Sequence, residues 1–146
     1  MFSAFNINAS GLTAQRYRMD VISENVANAN TTRTENGDPY RRKAVVFAEK
    51  GQKTTFSHVL SKVSKGYTGQ GVKVAEVFED TETQMKMVYD PSHPDANEDG
   101  YVTYPNVDIV MEMTNLIDAS RAYEANSTAF SASKNMALQG LEMNNS

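Results

Sequence analysis

From Val107 to Glu142 the chain reads VDIVMEMTNLIDASRAYEANSTAFSASKNMALQGLE, with no proline anywhere in it. Within it Ile109, Met113, Leu116, Ser120, Tyr123, Ser127, Phe130, Lys134, Ala137 and Leu141 follow one another at alternating intervals of four and three. That spacing returns side chains to one line along an α-helix. Seven of the ten are apolar, so the stretch predicts one long helix with a narrow apolar seam. Asn106, after Pro105, is placed to cap it, and Asp108 would favour the positive end of the helix. A helix over 107–142 is ~54 Å long. A middle segment of ~70 residues cannot cover that length at this rise per residue, so the helix must find other partners. Small residues (Ala119, Ser120, Ala122, Ala125, Ser127, Ala129, Ser131, Ala132, Ser133) lie on several of its faces and allow close approach from more than one side. Gly140 predicts a frayed or bent last turn.

A second helical pattern opens the chain. Phe5, Leu12, Met19 and Val26 recur every seven residues, and Ile22 and Ala29 fall on a second heptad line that Asn8 and Gln15 share. One edge of the stripe is thus polar. The helix reads as a narrow seam against one or two partner helices, not as a core helix with a broad apolar face. It should fade across Asn28 to Thr32, where short polar side chains compete for backbone hydrogen bonds. Two narrow-seamed helices at the two ends of one chain are natural partners for each other.

Between them the pattern changes. Gly37-Asp38-Pro39 signals a turn, and Tyr40–Phe47 suits a strand. Val72–Ala75 and Met85–Tyr89 alternate like half-buried strands. Three or four short strands are expected. Gly66, Gly69 and Gly71 punctuate a turn-like sequence, GYTGQG, that lacks the Lys-Ser/Thr ending of a phosphate loop. The fold class is therefore α+β: long N- and C-terminal helices pairing in the manner of a coiled coil, with a small β-rich middle domain inserted between them. The expected units are 1–32, 33–104 and 105–146.

Composition excludes much chemistry. With 146 residues, net charge −4 and pI near 5.2, the chain has no electrostatic footprint for nucleic acid. Its densest basic run, Arg41-Arg42-Lys43, reads as a solvated strand edge or turn. There is no cysteine, hence no thiol catalysis or thiolate metal site. His58 and His93 are the only histidines, and no zinc-type spacing surrounds them. No nucleophile elbow is present. The acidic stretch Asp95-Ala96-Asn97-Glu98-Asp99-Gly100 matches the first half of a calcium loop, yet Asn106 stands where the bidentate Glu belongs and prolines occupy the incoming helix. A calcium-binding module remains the alternative from another functional class, and calcium titration separates the two. No catalytic residue, cofactor, metal or small-molecule substrate is expected. The longest apolar run is far shorter than a membrane span, and the N-terminus lacks the layout of a cleaved secretory signal.

Several stretches carry a resemblance. Ala9-Ser10-Gly11-Leu12 with Gln15, Arg16 and Met19, then Asn25-Val26-Ala27-Asn28-Ala29-Asn30-Thr31-Thr32, resembles the N-terminal motif of the flagellar rod, hook and hook-associated axial proteins. Three more stretches resemble the proximal rod subunits within that family. They are Tyr89-Asp90-Pro91-Ser92-His93-Pro94-Asp95-Ala96, then Gly100-Tyr101-Val102 with Pro105-Asn106-Val107-Asp108, and Ala119-Ser120-Arg121-Ala122-Tyr123-Glu124-Ala125-Asn126. The resemblance implies a structural, non-enzymatic subunit of the basal-body rod, the drive shaft that transmits torque and encloses the export channel. It implies an inner layer of paired terminal helices with the β-rich part outside. Implied partners are other proximal and distal rod subunits, the adaptor between rod and motor base, and the flagellar type III export apparatus. The implied location is the periplasmic rod, reached without a cleaved signal. On this reading Phe5, Leu12, Met19, Ile22, Val26, Ile109, Met113, Leu116, Tyr123, Phe130 and Leu141 form the subunit-packing seam. Another axial subunit remains the nearest alternative.

Overall fold

A computed structural model describes residues 2–51 and 69–144. Helix α1 spans Phe2–Ala27, strands β1 to β4 span Lys43–Glu49, Val72–Glu79, Lys86–Tyr89 and Tyr101–Tyr104, and helix α2 spans Ile109–Asn144. The class is α+β, as the sequence predicts. The four strands do not form one sheet. β1 pairs antiparallel with β2, placing Val45 opposite Val77, and a bulge falls between Val46 and Phe47. β3 pairs antiparallel with β4, with Lys86 opposite Tyr104 and Tyr89 opposite Tyr101.

The helices run antiparallel. Asn25 meets Glu112 at one end, Gly11 lies against Asn126 further along, and Phe5 packs edge-on against Phe130 beyond that, with ring centroids 5.4 Å apart. On α2 the residues turned inward are Glu112, Leu116, Ala119, Tyr123, Asn126, Phe130, Ser133 and Ala137, again at intervals of four and three. This line shares Leu116, Tyr123, Phe130 and Ala137 with the seam read from the sequence. Ile109, Met113 and Leu141 fall on the outer side and are exposed. On α1, Phe5, Leu12, Met19 and Val26 are half-buried and Ile22 is buried.

α1 lies between α2 and the β1–β2 ribbon. The ribbon begins beside Asn25, and its far end reaches Ser10, whose Oγ accepts a hydrogen bond from the Val72 N–H at 3.0 Å and donates to the Ile7 carbonyl at 2.7 Å. Gly71 lies so close to this hydroxyl, with φ +95°, that a side chain would have no room. Ala14 and Val21 are the buried residues of the flank between. α1 ends as Asn28 folds its amide back onto the Glu24 carbonyl, 3.0 Å away.

The start of α2 differs from expectation. Asp108 caps it, its Oδ1 accepting from the N–H groups of Val110 (2.9 Å) and Met111 (3.3 Å). Asn106 is buried and engaged elsewhere. It accepts from the Arg42 N–H at 2.9 Å and donates to the carbonyls of Asp80 and Thr83 at 2.9 and 3.3 Å. Bridging three backbone groups of two neighbouring segments satisfies more of them than one helix cap would, which is why the cap passes to Asp108. The far end also differs, since α2 continues through Gly140 to Asn144. One exposed glycine costs only about 1 kcal/mol in a helix this long. Among the described residues the core is thin, and its largest fully buried side chain is the carboxylate-bearing Glu112.

Candidate assembly surfaces and the polar knot

Asn25 is the centre of a buried polar site that joins α1, β1 and α2. It is wholly buried, and every hydrogen-bonding position of its amide is filled. Nδ2 donates to the Lys43 carbonyl (2.8 Å) and to Glu112 Oε2 (2.9 Å), while Oδ1 accepts from the Lys43 N–H and the Tyr40 hydroxyl, both at 2.9 Å. The side chain of α1 thus pairs with Lys43 as a neighbouring strand would. Glu112 completes the knot from α2: its Oε1 accepts from Arg42 Nε at 2.8 Å. Arg42 is therefore not the solvated edge or turn residue the sequence suggests, because a buried carboxylate demands a cation and the residue leading into β1 brings one to it. Burial pushes the Tyr40 hydroxyl up to about 12, with the carboxylates of Glu24, Glu79 and Glu112 adding to the rise.

A second group of motif residues builds the turn after β3. Asp90 Oδ1 accepts from the N–H (3.1 Å) and hydroxyl (2.6 Å) of Ser92, and these bonds hold its carboxyl below the usual range. The Asp80 carboxyl is lowered likewise by Thr83, through its N–H and then its hydroxyl. His93 stands edge-on to Tyr104, centroids 6.4 Å apart, and its Nδ1 accepts from the Asp95 N–H. Gly100 has φ +82°, and a Cβ there would meet the Tyr89 ring at 3.0 Å and Pro91 at 3.2 Å. Oxygens of the calcium-loop-like stretch are spent on structure. Asn97 Oδ1 accepts from the N–H groups of Asp99 and Tyr101, and Asp95 holds Thr32 at 2.8 Å and Arg33 at 3.7 Å. Among the described residues no group of three or more His, Asp or Glu side chains converges on a metal-sized site. His58 and Gly66 lie outside the described residues.

The remaining motif residues divide between internal and surface positions. Ser10 pins β2, Asn28 accepts from the Thr31 hydroxyl at 3.2 Å, and Pro105 is buried beside Asn106. Asn126 covers Gly11, and Ser120 is half-buried. Asn30, Pro94, Arg121 and Glu124 are exposed. Apolar side chains are exposed too: Met87, Val88 and Tyr89 on β3, Ile109, Val110, Met113 and Ile117 at the start of α2, and Leu138, Leu141 and Met143 at its end. A groove of about 450 Å³ runs between β3 and the first turn of α2. Among the described residues no helix is long and apolar enough to cross a membrane. Sequence reading missed Glu112, Arg42 and Tyr40. An acidic residue one position from a seam was the only signal for Glu112.

Two family models match the chain. One, the flagella basal body rod protein, covers residues 5–33, and the other, the C-terminal region of flagellar basal body rod FlgEFG proteins, covers residues 98–143. These define the class as a structural subunit of the flagellar basal-body rod. A flagellar basal-body rod protein FlgC from Bacillus subtilis is 49% identical over 97% of this chain and 97% of its own length. Its counterparts from Borreliella burgdorferi and Salmonella typhimurium are 46% and 40% identical, over 93% and 98% of this chain and 92% and 97% of theirs. The chain belongs to the FlgC family of flagellar basal-body rod proteins.

Proposed function

We propose that the chain is a proximal rod subunit that works by packing with its neighbours, as part of the drive shaft that transmits torque and encloses the export channel. The observation that carries this reading is the end-to-end likeness to rod proteins named FlgC, which extends through both terminal helices. The physical design agrees with it. Among the described residues the core is thin, and large apolar side chains stand exposed along α2. Each such side chain contributes ~1.5–3 kcal/mol when buried, so a ring of neighbours supplies stability the monomer lacks. The seam residues Phe5, Leu12, Met19, Ile22, Val26, Leu116, Tyr123 and Phe130 hold the helix pair together, while Ile109, Met113 and Leu141 face adjoining subunits. No reactive centre is required.

On this reading the helix pair lines the inner layer, and the β ribbons face outward. Partners are other proximal and distal rod subunits, the adaptor at the motor base, and the type III export apparatus that delivers the chain to a periplasmic rod. The test is mass spectrometry of purified hook–basal bodies together with electron microscopy of a deletion strain. The chain should be found in the basal body, and the deletion should lack rods and motility. Intact rods in the deletion strain would overturn the proposal.

A further inference from the structure

We propose that Asn36 is a site of spontaneous covalent modification: it deamidates through a cyclic imide, the turn around it holds the rate down, and the product loosens the approach to β1. The inference concerns the turn between α1 and β1 and is independent of the rod-subunit reading.

The chemistry needs an asparagine whose carboxamide carbon can be reached by the peptide nitrogen of the next residue. Asn36 is the one asparagine in the chain that is followed by glycine. Glycine has no Cβ to crowd that approach, and its backbone reaches angles that other residues resist. Both residues are exposed at the tip of a turn. Gly37 has φ +90°, and nothing lies within 4 Å of the position a Cβ would take. The Asn36 carboxamide has no hydrogen-bond partner among the described residues. Other asparagines are held. Asn8, Asn25, Asn28, Asn106, Asn115 and Asn126 all spend a side-chain N–H on a hydrogen bond.

In the first step the Gly37 nitrogen bonds to Asn36 Cγ, and the bond from Cγ to the carboxamide nitrogen breaks. Ammonia leaves, carrying the proton of the Gly37 amide. Water then opens the imide. Attack at Cγ gives aspartate with the original backbone, whereas attack at the main-chain carbonyl gives isoaspartate, whose backbone is longer by one methylene. Nothing is oxidised or reduced.

The brake is the turn. The Gly37 N–H donates to the Thr34 carbonyl at 2.9 Å. The Asp38 carbonyl clasps the loop by accepting from the Thr34 N–H and the Thr34 hydroxyl, both at 2.8 Å. A nitrogen so engaged must give up its bond before it attacks, so conversion proceeds from the opened turn. Past the turn, the Tyr40 N–H donates to the Thr31 carbonyl at 3.1 Å and its hydroxyl to Asn25. An extra methylene inside this closure displaces one side of it against the other.

The purified full-length chain is incubated in mildly alkaline buffer and its peptides are followed by mass spectrometry, with Asn36→Asp as the standard for the aspartate product. Among the asparagines of the described residues Asn36 should convert first and give both products. Thr34→Ala should speed conversion several-fold, and the urea-unfolded chain should convert faster still. In urea, where the turn plays no part, Gly37→Ala should slow it several-fold. The isoaspartate form, separated by chromatography, should melt below the parent. Another described asparagine converting first, aspartate as the sole product, a native rate equal to the unfolded one, or equal melting of the isoaspartate form and the parent would overturn the proposal.

Discussion

Replacing Asn25 by Ala tests the knot that ties α1, β1 and α2 together. The substitution removes four hydrogen bonds at once, to the Lys43 N–H and carbonyl, the Tyr40 hydroxyl and Glu112 Oε2. Each buried group left without a partner costs roughly 1–3 kcal/mol. Glu112 retains Arg42, and water entering the vacated space recovers part of the loss. The net expected destabilisation is ~3–5 kcal/mol, a large share of the ~5–15 kcal/mol typical of a folded domain. Urea unfolding followed by helical circular dichroism reads it. At ~1–3 kcal/mol per molar urea the midpoint should fall by more than about 1 M. Asn30→Ala, at an exposed motif position in the same run, is the control and should move stability by no more than about 0.5 kcal/mol. If the two variants unfold at the same midpoint, the knot is not what joins the three elements.

Three further outcomes follow from the same geometry. Arg42→Met should destabilise by ~3–5 kcal/mol by leaving the Glu112 carboxylate buried and unpaired, and Arg42→Met with Glu112→Leu should recover most of that in the same assay. Tyr40 ionises near 12 in the fold against 10.0 ordinarily, so the fold favours its neutral form. That contribution of ~2–3 kcal/mol is full below pH 10 and is lost as pH rises towards 12, and stability curves of Tyr40→Phe should lack this alkaline decline. At Gly11 an added Cβ would meet Asn126 Oδ1 at 2.7 Å. Gly11→Ala should therefore lower thermal stability despite its better helix propensity, and Asn126→Ala in the same chain should reverse the effect; a stabilising single substitution would count against the close approach.

Heptad spacing made both helices legible, because periodicity reports which side chains share a line regardless of what covers that line. It could not report what covers it. The seam read on α2 combined residues facing α1, such as Leu116 and Phe130, with Ile109, Met113 and Leu141, which face outward. Three of the four strands were readable, β1 from its β-branched and aromatic residues and β2 and β3 from alternation, whereas the short β4 at Tyr101–Tyr104 was not, and the division into two separate ribbons depends on long-range pairing that local pattern does not encode. Glu112 was hidden for a related reason. A carboxylate is buried only when a distant residue neutralises it, and Arg42 lies 70 positions away in the chain. Asn106 was read as a helix cap because capping is local, whereas its partners Arg42, Asp80 and Thr83 come from elsewhere in the fold.

Cryo-electron microscopy of hook–basal bodies from the source bacterium tests the central claim most directly. The account predicts a proximal rod layer in which antiparallel helices of 26 and 36 residues line the channel side and the β1–β2 ribbon lies outside. Finding this chain's helices on the outer surface of the rod, or the chain missing from it, would contradict the account.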